Sequence, residues 1–308
     1  MSTYIVRRVL QMIPVVLGTT FLIYVMVFAL PGDPTAGKCG DRACPPAVVA
    51  AIKEKYNLND PVPVGYAKYM GNVVQGDLGE NRFGIPVADD LKNRYPTTIK
   101  LAGLALLIEI IIGISAGVLT AVRRGGFLDN LVLVSTLIVI SIPVFVFAAL
   151  AQLSFGVKLS LFPVTVPNPA TWYSLLLPAF VLASLSLAYV IRLTRASLTE
   201  NLRADYVRTA KAKGLTPRRA IGLHALRNSM IPVVTFIGYD FGGLLGGAII
   251  TERVFNIQGV GGYIWKGINS RDGVAVVSTV TVLVIVYLLV NLLVDLLYGV
   301  LDPRISHD

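Results

Sequence analysis

Residues 205–232 read DYVRTAKAKGLTPRRAIGLHALRNSMIP, a polar and basic segment set between two long apolar runs. Around it stand Arg192, Arg195, Arg203, Arg208, Lys211, Lys213, Arg218, Arg219 and Arg227, against the acids Glu200 and Asp205. A short loop this basic between membrane-crossing segments marks the cytoplasmic side. Local signals predict two helices within it. Ala204–Lys213 has good helix formers, with Asp205 near its N-terminus and lysines near its C-terminus, matching the helix dipole. Gly214 ends that helix, Thr216 can cap the next, and Pro217 fits a first helical position. Arg218–Met230 makes the second helix and Pro232 opens the following span. A short helix held at the membrane surface by two others acts as a lever if a partner grips it. The competing reading is a solvated loop that only sets topology.

Composition places the rest of the chain in a bilayer. Of its 308 residues 55% are hydrophobic and 15% charged, and the mean hydropathy is +0.70. A soluble domain carries about 25% charge. The net charge of +9 reflects membrane topology rather than nucleic-acid binding, because its cations concentrate in one loop with few aromatic residues. Six stretches reach the roughly 20 apolar residues that cross a bilayer: Val9–Leu30, Thr97–Val122, Leu131–Phe155, Trp172–Ile191, Ile231–Ile250 and Val274–Gly299. The first is too long for a signal-peptide core, lacks a small-residue cleavage pattern, and ends at Pro31-Gly32-Asp33-Pro34, so it reads as a retained span. The expected fold is all-α, with six transmembrane helices.

Arg7-Arg8 before the first span, Arg123-Arg124 between the second and third, and the 205–232 loop fall on one side if all six cross. That side is the cytoplasm, and both termini lie there. The organisation expected is residues 1–30 as N-terminus and first span, 31–96 as a structured external loop, 97–300 as a core with the coupling loop at 196–230, and 301–308 as a cytoplasmic tail. Within 31–96, Pro45-Pro46 followed by Val48–Tyr56 reads as a helix start and an amphipathic surface helix. Cys39 and Cys44 fall in this external loop, where a disulfide is permitted and would stabilise by roughly 2 kcal/mol. Two free thiols are the alternative. His224 and His307 lie across the membrane from the cysteines, so no metal site is expected.

No phosphate-binding loop, zinc-protease motif or serine nucleophile motif occurs, and GVGGYIWKG (259–267) does not match a P-loop. A channel, an ion-coupled carrier working alone, an intramembrane enzyme and one subunit of a larger machine all remain compatible with six spans. Arg208-Thr209-Ala210, then Gly214, then Ile231-Pro232 resemble the "EAA" loop of bacterial ATP-binding-cassette importer permeases. The wording DYVRTAKAKG and ALRNSMIP is similar to their dipeptide, oligopeptide and nickel branch. So are YIVRRVLQMIPVVLG near the N-terminus, PGDP, LNDPVPVGYAKYMGNVVQGDLG (58–79) and ITERVFNIQGVGGYIWKGINSRD (250–272). The resemblance runs the length of the chain. It departs at Arg208, where the wider family has an acid, so no salt bridge from that position to a basic ATPase residue follows.

The resemblance implies a bacterial plasma-membrane permease that is not itself an enzyme and binds no cofactor. Its partners would be a homologous second permease, two cytoplasmic ATPases carrying ATP and Mg, and an extracytoplasmic peptide-binding protein. It implies transport of di- or oligopeptides, or, with the same machinery, of nickel chelates or haem. Tyr206, Arg208, Ala210, Lys213, Gly214 and Leu215 would form or shape the ATPase contact. Phe255, Asn256, Gly259 and Gly262, in an outer loop 251–273 that also carries Tyr263 and Trp265, would face the binding protein; an interfacial aromatic belt is the other reading.

Charges inside spans are costly and often functional. Glu109 and Asp240 lie near the midplane and can line the pathway and meet a peptide ammonium, or act as polar glue between helices. Asp295 shares a face with Asn291 and Tyr287 near the cytoplasmic end, which favours packing or snorkelling. Gly238, Gly242 and Gly246, with Gly243 and Gly247 beside them, permit a close helix contact, within the subunit or with the second permease. Pro143 and Pro178 are expected to kink their helices.

Overall fold

The computed structural model describes residues 2–28 and 45–301. Cys39 and Cys44 lie outside them. The elements are helices joined by short turns, in keeping with the all-α expectation. They are α1 (Ser2–Phe28), α2 (Pro46–Lys55), α3 (Val62–Val74), α4 (Val87–Ile108), α5 (Ile114–Val122), α6 (Phe127–Ser141), α7 (Val144–Ala151), α8 (Trp172–Asn201), α9 (Asp205–Ala212), α10 (Pro217–Arg219), α11 (Arg227–Val254), α12 (Val260–Asn269) and α13 (Gly273–Leu301). π-helical turns at Glu109–Gly113, Gln152–Lys158 and Ala220–Leu226 extend α4 into α5, prolong α7, and join α10 to α11.

Among the described residues, five helical stretches are long and apolar enough to cross a membrane: Val6–Phe28, Val87–Val122, Trp172–Asn201, Pro217–Gly246 and Gly273–Leu296. A sixth is split. Phe127–Ser141 and Val144–Lys158 meet at a 110° bend, so Pro143 breaks this segment where a kink was expected. Ile142 is extended and Pro143 becomes the N-cap of α7, because the residue before a proline is pushed out of the helical region. Pro178, by contrast, is carried inside a continuous α8. Pro232 does not open a span either; it lies within α11. The helix into the second span begins at Val87, ahead of Thr97, and residues 251–273 hold helix α12 rather than an open loop.

The chain divides into two compact units, Met1–Ile99 with Asn256–Asp308, and Lys100–Phe255. In the first, α1 packs on α13, and the Arg8 guanidinium reaches Asp295 at 3.4 Å. Asp295 is thus a buried ion-pair partner. Most of α1 leaves its apolar side chains bare, including Leu10, Ile13, Leu17, Leu22 and Met26, as a lipid-facing helix does. Tyr69 donates to Thr281 at 2.9 Å and Ser278 to the Leu78 carbonyl at 2.7 Å, seating α3 and the 75–80 turn on α13. Asp272 caps α13 through the Ala275 amide (3.2 Å) and also accepts from the Arg82 amide (2.6 Å).

In the second unit α8 is the central post, with a capping box at Thr171 and Ser174. The glycines that let helices approach are Gly113 and Gly117, which lie against Val190 and Thr194 of α8. A Cβ at Gly117 would stand 2.5 Å from the Thr194 Cβ and 2.9 Å from the Ile191 carbonyl oxygen. In α11 a Cβ on Gly246 would meet nothing within 4 Å, and on Gly243 only an Asp240 oxygen at 3.8 Å. Packing within the subunit therefore does not occupy those two positions of the stripe. Gly117→Ala is expected to cost about 1–3 kcal/mol through overpacking, and Gly246→Ala nothing measurable. Thermal unfolding of the two variants in detergent tests this; equal midpoints would contradict the close α5–α8 contact.

Candidate coupling surface and transmembrane carboxyl pair

Helix α9 is built to be presented. Asp205 occupies its first turn and Lys211 its last, each on the end the dipole favours. Val207 and Ala210 point inward and are buried, whereas Tyr206, Arg208, Thr209, Lys211 and Lys213 are exposed. Val207 packs with Ala121 of α5, Leu198 of α8 and Ala225 of the π-turn, surrounded by Val118, Leu202 and Leu226. The inner face is thus apolar and fixed to three elements, and the outer face is cationic. Arg203, Arg218, Arg219 and Arg227 are also exposed.

The end of α9 explains Gly214. Its amide donates to the Lys211 carbonyl at 3.0 Å and the Leu215 amide to the Ala210 carbonyl at 3.2 Å, the paired bonds of a Schellman cap. That cap needs a left-handed residue, and Gly214 has φ +86°. A Cβ there would meet nothing within 4 Å, so the requirement is one of backbone conformation and not of space.

The candidate coupling residues divide in two. Tyr206, Arg208, Lys213 and Gly214 lie on the outer side, Leu215 is half-buried, and Ala210 belongs to the inner side. The Tyr206 hydroxyl donates to Asn201, which fixes its ring over the end of α8. Arg208 pairs loosely with Asp205 at 3.6 Å, both side chains largely in solvent, so this contact contributes little.

Glu109 and Asp240 come together. Glu109 opens the π-turn between α4 and α5 and is fully buried, with neither carboxyl oxygen hydrogen-bonded in normal geometry. The half-buried Asp240 of α11 is its carboxyl neighbour, and Ser186 of α8 lies beside Asp240. π-turns inside helices are frequent at functional positions.

The outer-loop candidates are less uniform. Asn256 is exposed in a left-handed turn (φ +52°), Phe255 is buried, Gly259 is the N-cap of α12, and Gly262 is buried within it. The Val260 amide donates to Thr98 at 2.9 Å, and the Arg94 guanidinium lies 4.8 Å from the centre of the Tyr263 ring. Burial, then the neighbouring Asp90, push the Tyr263 hydroxyl above the ordinary phenol range, so it stays neutral. Trp265 keeps the exposed side of α12. Among the described residues no group of three or more metal-ligating side chains occurs.

Residues 110–307 match the family described as the binding-protein-dependent transport system inner membrane component, and residues 1–102 match its N-terminal region family. The chain belongs to this family. It is a permease subunit of an ATP-binding-cassette importer: a multi-pass inner-membrane protein and a transport component rather than an enzyme. Relatives include the dipeptide transport system permease protein DppB of Escherichia coli K12, 37% identical over 100% of this chain and 99% of that one. DppB of Alkalihalophilus pseudofirmus is 36% identical over the whole of both chains, and DppB of Bacillus subtilis 168 is 37% identical over 99% and 98%. Membership implies ATPase, substrate-binding and second-permease partners for this permease.

One pair escaped the sequence reading. Arg195, counted there among the loop cations, forms a two-pronged ion pair with Asp129 of α6. The available signal was an acid in the first turn of a membrane helix, just after Gly125-Gly126, which needs a cationic partner if buried.

Proposed function

We propose that this permease supplies one half of the pathway for dipeptides and other short peptides, importing them with energy from ATP hydrolysed on two cytoplasmic ATPases. A homologous permease forms the other half, and an extracytoplasmic peptide-binding protein delivers the cargo. The peptide assignment rests on the names of the full-length relatives. Both termini and α9 face the cytoplasm: the basic turns at Arg7-Arg8, Arg123-Arg124 and α9 share a side only if the broken pair α6–α7 crosses the bilayer, and cations concentrate inside. The observation that carries the coupling role is the two-faced α9, with an apolar side anchored to α5, α8 and the α10–α11 rod and a cationic side bare. Such a helix passes a push from a gripping partner to three membrane helices together. Glu109 and Asp240 line the route and serve as counter-ion to the peptide ammonium, while Asn256 and the outer side of α12 meet the binding protein. The test is affinity purification of this chain from its native membrane followed by uptake in proteoliposomes. The reading expects two ATPases and a second permease to copurify, and peptide uptake to require both ATP and the binding protein. Uptake by the chain alone, driven by an ion gradient, would overturn it.

A further inference from the structure

We propose that Asp129 and Arg195 are positioning residues of the coupling machinery: their ion pair locks the α5–α6 turn to α8 so that a displacement of α9 reaches α6. The inference rests on the coupling role proposed for α9 and goes beyond it by naming the joint through which motion leaves that helix. Arg195 donates from Nε to Asp129 Oδ1 at 2.6 Å and from a terminal nitrogen to Oδ2 at 2.8 Å. This is the forked geometry of the strongest carboxylate–guanidinium pairs. The Gly125 amide donates to the same Oδ2 at 2.8 Å. One carboxylate therefore holds both the backbone of the tight turn after α5 and a side chain of α8. Asp129 is 1% exposed and sits in the first turn of α6, where a negative charge is favoured.

Position along α8 gives the pair its meaning. Leu198, three residues after Arg195 and so on the same side of the helix, is the α8 member of the cluster that seats Val207 of α9. A single turn of α8 thus carries α9 through Leu198 and α6 through Arg195. α6 runs to the 110° break at Pro143, and α5 leads back to the π-turn holding Glu109. With the pair intact, the lower ends of α5, α6 and α8 move with α9 as one body. Without Arg195 the buried Asp129 carboxylate loses its counter-ion, and without the Asp129 charge the half-buried Arg195 loses its fork; in either case the α5–α6 turn is no longer tied to α8.

The experiment is to place Asp129→Asn, Arg195→Lys and Arg195→Ala in the complete importer, reconstituted in proteoliposomes with its binding protein. Peptide uptake per ATP hydrolysed is measured at matched amounts of assembled complex. Arg195→Ala and Asp129→Asn are expected to lower the ratio about tenfold, within the range by which residues along a coupling route modulate it. Arg195→Lys, which keeps the charge but not the fork, should fall between them and the parent. Should Arg195→Ala fail to assemble, the near-isosteric Asp129→Asn and Arg195→Lys still decide. A ratio unchanged in both, or complexes lost from the membrane with the ratio of the survivors intact, would reduce the pair to a folding contact and overturn the proposal. Gly214→Pro is run beside them. If it lowers the ratio and the ion-pair variants do not, only this inference fails; if it too leaves the ratio intact, the coupling role of α9 fails first.

Discussion

Gly214→Pro is expected to reduce ATP-driven peptide uptake to less than about a tenth while the assembled complex still hydrolyses ATP. Proline fixes φ near −65°, whereas residue 214 sits at +86°, and it removes the amide that donates to Lys211. Both bonds of the cap are then lost and the last turn of α9 opens. A loss of about 3 kcal/mol is large for a two-turn helix, which has little stability beyond what its packing supplies. Gly214→Ala supplies a graded control. Its Cβ meets no neighbour, so it should cost only the left-handed backbone penalty, about 1 kcal/mol, and lower uptake several-fold at most. Ala210→Asp attacks the same helix from its buried side by placing an unpaired carboxylate there. Its expected result is the Gly214→Pro phenotype. Uptake and hydrolysis measured together on reconstituted importer check all three, and normal uptake per ATP in Gly214→Pro would end the lever account.

Asp240→Asn should have the next largest effect. Glu109 and Asp240 meet within membrane-spanning helices, an expensive arrangement for a purely structural contact. Asp240, the more accessible of the two, is the better placed to receive a peptide ammonium. A hydrogen bond to a charged group contributes about 1.5–3 kcal/mol, so its loss corresponds to roughly 10–100-fold weaker handling of a peptide with a free amino terminus. Binding to the external receptor should be unchanged, because that step precedes entry. Uptake at parental rates in Asp240→Asn would make the pair a helix–helix contact with no role in the route.

Helix α9 and the apolar spans were legible in the residues because their signals are local. Asp205 with Lys211 marks the ends of α9, and Gly214 followed by Thr216-Pro217 marks its stop and the next start. Those features fix backbone dihedrals within a few positions. Long apolar runs gave the spans for the same reason. What was not legible depends on partners distant in sequence. Nothing local says that Pro143 breaks its helix while Pro178 and Pro232 ride inside theirs, since the outcome depends on what replaces the lost backbone bonds. Gly113 and Gly117 carry the close contact to α8, although the denser glycine stripe lies on α11; spacing alone does not say which face finds a neighbour. Arg195 looks like any loop cation until α6 brings Asp129 against it, sixty-six positions away. The Val260–Asn269 helix was hidden by Gly259, Gly261 and Gly262, which read as loop, while its apolar face is set by Val260, Tyr263 and Ile264.

The measurement closest to the central claim is site-specific photocrosslinking from position 208 of the intact importer, in membranes of known sidedness. Arg208 is suited to it because its side chain is 74% exposed and its contact with Asp205, at 3.6 Å, is loose. The account predicts a crosslink to an ATPase subunit, formed only when the ATPases are assembled on the membrane. A probe that reacts from the extracytoplasmic side, or that never reaches an ATPase in a complex shown to be fully assembled, would contradict it.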